Sequence, residues 1–191
     1  MTLEVVRTHL RRHFGVQPDS ASVTFLGLEP IEVLRFASKA ARVVDYVTLG
    51  CSRHPMTDPA QVVADPVLGP RAEVELRLRN PGLAAGLARS LAMIAATPAV
   101  EGMVLVPDAL IDLGSALWQG APFTAVLLGR SDIDDVELDA PRDPVRFLSA
   151  IPITATEAAW VRLKGADAMR QAWQHDGIDV LDPYRSAAQP S

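Results

Sequence analysis

Residues 46–56 read YVTLGCSRHPM: a β-like run breaks at Gly50 and is followed at once by Cys51, Ser52, Arg53 and His54. A thiol beside a cation and an imidazole is the material of a cysteine hydrolase, because a neighbouring base or cation lowers the thiol pKa and supplies a thiolate nucleophile. That chemistry requires Cys51 and His54 to converge in one pocket, within about 4 Å. In extended chain, residues 51 and 54 point to opposite faces. No second cysteine, glycine-rich phosphate loop, protease signature or phosphatase signature accompanies them. The expectation is a structural cysteine, with a hydrolase using Cys51 and His54 as the rival.

Three other groups of polar residues have spacings that suggest chemistry. His9 and His13 stand i, i+4 and would share one helix face, as a pair of metal ligands does. The residues between them are Leu-Arg-Arg, which adds two cations and lacks the glutamate base of the zincin motif, so the expectation is solvated histidines near a helix end. Residues 131–139, SDIDDVELD, are acidic enough to suggest calcium but lack the central glycine and the alternation of an EF-hand loop, and read as a solvated loop and edge strand. Asp179 and Asp182 in GIDVLDPYR suit turns and strand ends. No acid, base and nucleophile set emerges, and neither a metal nor a cofactor is expected.

The elements that would position these residues are legible from periodicity. Thr2 would cap a first helix carrying Leu3, Val6 and Leu10 on one face and ending near Gly15. PIEVLRF and VVDYVTLG read as two strands joined as a hairpin. In RAEVELRLR, residues 71–79, apolar residues alternate strictly with charged ones, predicting one buried and one wet face. Asn80 and Pro81 read as N-cap and N1 of a helix carrying Leu83, Leu87, Leu91 and Ile94, with Thr97-Pro98 as its stop. MVLV and FTAVLL lack alternation, as strands covered on both faces do, and VRFLSAIPIT reads as a last strand. Thr154 and Glu157 form a capping box for a closing helix to about His175, with Gly177 after its end. Its apolar stripe runs through Ala158, Val161, Met169 and Trp173. Trp160 and Leu163 fall on the opposite side and mark either a second buried layer or a surface for a partner.

Composition bounds the function class. The chain has 191 residues, 49% hydrophobic and 21% charged, with a net charge of −5. These values predict one globular domain able to bury a core without disulfides or metals. The acidic balance argues against a nucleic-acid backbone or an anionic membrane as the main partner. A lone cysteine excludes an internal disulfide, and the charged opening MTLEVVRTHLRRH does not read as a signal peptide. The longest uncharged run, Leu113 to Gly129, is interrupted by Gly114, Gly120 and Pro122 and falls short of a membrane span. A cytoplasmic protein is expected.

Taken in order, YVTLGCSRHPM, RAEVELRLR, LARSLAMIA, PITATEAAWVRLKGADAMRQAW and GIDVLDP resemble the bacterial branch of the suppressor of fused family, from roughly Phe14 to Arg185. The resemblance implies an α/β (α+β) single domain, residues 1–185, with a mixed, mainly antiparallel sheet flanked by helices and a flexible tail over 186–191. It also implies a domain without catalytic activity that binds other proteins. In eukaryotic relatives a second domain helps clamp an extended peptide as an added strand, and here a single domain without that clamp is expected. By resemblance, Tyr46 and Glu73 would border a peptide groove, and Trp160 joins them as a candidate partner contact. Bacterial relatives often resemble immunity proteins that neutralise a cognate toxin by binding it. The partner expected is therefore another protein, possessing toxin activity or an extended peptide segment, with general regulation or scaffolding as the alternative role.

Overall fold

The computed structural model describes residues 2–38, 40, 42–58, 60 and 63–189. Helix α1 (Thr2–Phe14) buries Val6 and Leu10, as its amphipathic spacing predicts. Strands β1 (Asp19–Val23), β2 (Ile31–Ser38), β3 (Val43–Leu49) and β4 (Arg71–Arg79) follow as an antiparallel meander. After β4 come helix α2 (Leu87–Glu101), strands β5 (Leu110–Asp112), β6 (Phe123–Arg130) and β7 (Val145–Thr154), and helices α3 (Ala155–Lys164) and α4 (Ala166–His175). The sheet order is β1-β2-β3-β4-β7-β6-β5, and β4 with β7 is its one parallel pair among the described residues. This is the mixed, mainly antiparallel sheet flanked by helices that the resemblance implies.

The sheet lies between two helical layers because its strands bury side chains on both faces. Val74, Leu76 and Leu78 of β4 pack with Leu91 and Ile94 of α2 on one face. On the other, α1 covers Leu34, Phe36, Val47 and Phe147. Further along that same face, α3 and α4 cover Ala125, Leu127 and Ile153 through Val161, Met169 and Trp173. The predicted apolar stripe of the closing helix thus forms the third part of the core.

Several expectations are corrected. β4 has no wet face over most of its length: Arg71, Glu73 and Glu75 are buried, because this strand is central and both of its faces are covered. The helix predicted from Asn80 begins at Leu87. Asn80 has a left-handed φ of 43° and donates its N–H to the Arg42 carbonyl, residues 81–84 run without regular structure into a turn at 85–86, and Leu83 is exposed. Pro98 does not stop α2, which continues to Glu101 and ends at Gly102 with a left-handed φ of 67°. MVLV forms no strand; the Leu105 N–H instead donates to Met56 Sδ at 3.3 Å, and the strand comes later, at β5. The closing helix is two helices, since Gly165 (φ 89°, ψ 170°) interrupts it between α3 and α4.

The capping box itself is present, and Glu157 does more than cap. Its carboxylate accepts from the Thr154 N–H, Trp173 Nε1, Arg185 and the Ala188 N–H, all around a side chain with no exposed surface. Beyond Ala188 the Gln189 N–H donates to Asp176, and residues 190 and 191 of the expected tail lie outside the described residues. Burial pushes Glu157 up, but Arg185 and the surrounding N–H groups outweigh it and hold the carboxyl below its ordinary value.

Candidate partner-binding site

The end of β3 is built around Glu73. The regular β3–β4 pairing stops at Val47 opposite Glu75. Past that point the Thr48 hydroxyl replaces the main chain, accepting from the Val74 N–H at 2.9 Å and donating to Glu73 Oε2 at 2.6 Å. Glu73 Oε1 accepts from the Gly50 N–H, the Ser52 N–H and the Ser52 hydroxyl at 2.8, 3.0 and 2.6 Å. Arg71 clamps the same turn from below, donating to the carbonyls of Ser52, Arg53 and Val67. Gly50 is required here: its φ is 155°, and a β-carbon would stand 3.1 Å from Ile31 Cα and 3.2 Å from the Pro30 carbonyl oxygen.

This turn, a single 3-10 turn over Cys51–Arg53, closes the end of the sheet. Ser52 points at Glu73, while Cys51 packs with the core beneath α2. Cys51, Arg53, His54, Glu29, Met56 and Ala95 are among the walls of a cavity of about 480 Å³ between the turn, the loop before β2 and α2. The structure therefore brings Cys51 and His54 to one cavity, which extended geometry did not foresee. Yet burial pushes the Cys51 thiol well up, and the nearby Glu73 carboxylate adds to the rise. That is opposite to what a nucleophile needs. His54 is engaged at the rim, with Nε2 2.7 Å from Glu29 Oε2, and this contact together with Arg53 lowers the Glu29 pKa.

The remaining charges of β4 are matched in the same way, in the trough between α1 and the α3–α4 pair. Arg77 donates to Asp45 at 2.5 Å and Glu75 at 3.2 Å, Ser131 donates to Glu75, and Arg79 meets Asp179. Burial raises Glu75, partly offset by Ser131 and Arg77 and reinforced by the Asp45 carboxylate.

The residues singled out from sequence fall in three places. Tyr46 is 7% exposed and belongs to the core beneath α2; Glu73 is 0% exposed and fully engaged with the turn. Neither lines the cavity; Glu73 reaches it only through the turn, whose Gly50 and Ser52 N–H groups donate to it. Trp160 is half-buried against α4, its Nε1 enclosed without a hydrogen-bond partner and Lys164 Nζ 5.9 Å from its ring centroid. Leu163 is exposed. His9 stacks on Phe147 and His13 stands edge-on to Phe14, so aromatic packing occupies the pair. In the acidic stretch Ile133 and Val136 are buried, and Val136 bridges to Val145. Asp179 and Asp182 cap turns, accepting from the N–H groups of Leu181 and Tyr184. Among the described residues no group of three or more His, Cys, Asp or Glu side chains is placed to hold a metal ion. No helix of the described chain is long and apolar enough to cross a membrane.

Fold and site together define an α/β domain whose polar residues are largely committed to shaping its own walls. The family model "Suppressor of fused protein (SUFU)" matches residues 27–186. The chain belongs to the suppressor of fused family. Its fold is similar to that of a candidate SUFU homolog from Neisseria gonorrhoeae FA 1090, with a TM-score of 0.70, 18% identity, and coverage of 97% of this chain and 96% of that one. It is also similar to a chain of the Sufu-Fu complex (TM-score 0.65, 17% identity, 97% and 91% covered). Against Drosophila Suppressor of Fused the TM-score is 0.63 at 17% identity, and the chain covers 51% of that protein's length. No curated protein matches the chain by sequence.

Proposed function

We propose that this chain is a non-enzymatic binding domain that holds another protein, and that its biological role is to neutralise a cognate toxin in the cytoplasm. The observation that carries the binding reading is membership of a family in which one similar fold was solved as the Sufu-Fu complex. The physical chemistry of the cavity supports it: a thiol kept protonated and a histidine held by Glu29 shape a wall without supplying a nucleophile. A net charge of −5 favours a basic target, since complementary charge speeds encounter and rejects wrong partners. Tyr46 and Glu73 act as supports of the groove, and Trp160 offers a second contact on the α3–α4 side.

The immunity role predicts that a neighbouring gene encodes a large protein with a toxin-like C-terminus, and the test is co-expression with that protein, scored by survival and by co-purification. Survival with a stable complex is expected. A complex without protection would replace toxin immunity by the scaffold role, and failure to retain any protein would remove the binding reading.

A further inference from the structure

The cavity at the Cys51 turn continues along α2. A second cavity of about 530 Å³ shares Leu28 on the loop side and Ala96 and Ala99 on the helix side, so one trench runs between the loop before β2 and the C-terminal half of α2. Each part falls within the ~300–1,000 Å³ of small-molecule sites.

The two ends of the trench differ in chemistry. The second cavity is apolar: Phe25, Leu28 and Met103 line it half-buried, and Leu26 at 106%, Val100 at 66% and Met93 at 38% exposure leave large side chains facing water. Apolar surface left open in a groove marks a ligand site. The first cavity carries two bases, Arg53 and His54, and one acid between them. Glu29 Oε2 lies 2.7 Å from His54 Nε2, but Glu29 Oε1 is 3.6 Å from Arg53 Nε, too far for a hydrogen bond. Among the described residues the Arg53 guanidinium donates only to the Pro30 carbonyl, at 3.2 Å. A planar fork of donors that lacks a hydrogen-bonded carboxylate matches the geometry of one. At the opposite end stand Asp112 and Glu101, the latter closing α2 where the helix dipole adds negative potential. An anionic head group is thus attracted to one end of the trench and repelled from the other.

We propose that this trench is a binding site for an amphipathic monocarboxylate, an acyl chain of the fatty-acid kind. Arg53 holds the carboxylate with His54 beside it, and the chain lies on Leu26, Met93 and Val100. Glu29 is the internal competitor for the same bases. The site goes beyond the binding-domain reading, and neither depends on the other.

The test is calorimetric titration of the full chain with decanoate, octanoate and decanol, each below the concentration at which it aggregates. Decanoate is expected to bind at one site, about tenfold more tightly than octanoate, which has two fewer methylenes. It should also bind about tenfold more tightly than decanol, which lacks the charge. Arg53→Gln should weaken decanoate about tenfold and leave decanol unchanged, which separates loss of the anion contact from loss of the fold. Glu29→Gln should tighten decanoate, because it removes the competing carboxylate. Leu26→Ser and Val100→Ser should each weaken all three ligands about tenfold with the thermal midpoint unchanged. No binding of decanoate overturns the proposal. So does equal binding of decanoate and decanol, or a decanoate affinity that Arg53→Gln and Val100→Ser leave intact.

Discussion

The Ser52 hydroxyl donates a 2.6 Å hydrogen bond to Oε1 of Glu73, which is 21 residues away in the chain and has no exposed surface. Three further donors converge on the same carboxylate, from Thr48, Gly50 and the Ser52 main chain. The turn that carries Cys51 and His54 therefore depends on one acid in the middle of the sheet. Glu73→Gln keeps the volume but turns an N–H₂ toward groups that are themselves donors. We expect a loss of about 2–4 kcal/mol in urea unfolding, from buried donors left unsatisfied. A change below about 0.5 kcal/mol, the size of a neutral surface substitution, would contradict this role.

Cys51 should behave as an inert thiol. Burial and the Glu73 carboxylate both raise its pKa, so labelling by a thiol reagent at neutral pH should be slow in the folded protein and should become fast only on unfolding. Cys51→Ala should retain partner binding. Rapid stoichiometric labelling of the native chain would show an activated thiol instead.

The C-terminal segment is held by a buried pair, Arg185 Nη1 to Glu157 Oε1 at 2.8 Å, with the Arg185 guanidinium over Phe123 at 5.0 Å. Arg185→Met leaves a buried carboxylate without its cation and should cost about 3–5 kcal/mol at neutral pH. Because the Glu157 pKa is lowered on folding, its contribution is present above the ordinary carboxylate pKa and is lost as pH falls through the folded value. The cost of Arg185→Met should accordingly shrink in acid. An equal cost at all pH values would contradict the linkage.

Glu75 should show the opposite sign. Burial raises its folded pKa, with Asp45 adding to the rise against Ser131 and Arg77. Its contribution is full below the unfolded carboxylate pKa and declines as pH rises through the raised folded value. Glu75→Gln should flatten that decline in a plot of thermal midpoint against pH. A variant that follows the wild-type slope would remove Glu75 as its source.

Local signals were most legible where the chain itself satisfies them. The Thr154 and Glu157 capping box, the Val6 and Leu10 spacing and the β2–β3 hairpin are all present. What the sequence could not display was which strand would be central. The alternation in RAEVELRLR describes a half-wet strand equally well, and only the covering of both faces puts Glu73 and Arg71 inside. Thr97-Pro98 reads as a stop because proline disfavours helical geometry in the residue before it, whereas α2 continues through it with Ala95 and Ala96 packed in the core. For the site, Cys51 and His54 stood out by residue type, but their shared cavity depends on a turn pinned from β4.

The central claim, that the chain grips another polypeptide and does not catalyse a reaction, is tested most directly by affinity purification from the native host followed by titration of the purified partner. We predict one partner at fixed stoichiometry, rebinding with a submicromolar Kd, about −8 kcal/mol or better, and bound equally well by Cys51→Ala. No retained partner, together with turnover of a small substrate that vanishes in Cys51→Ala, would contradict it.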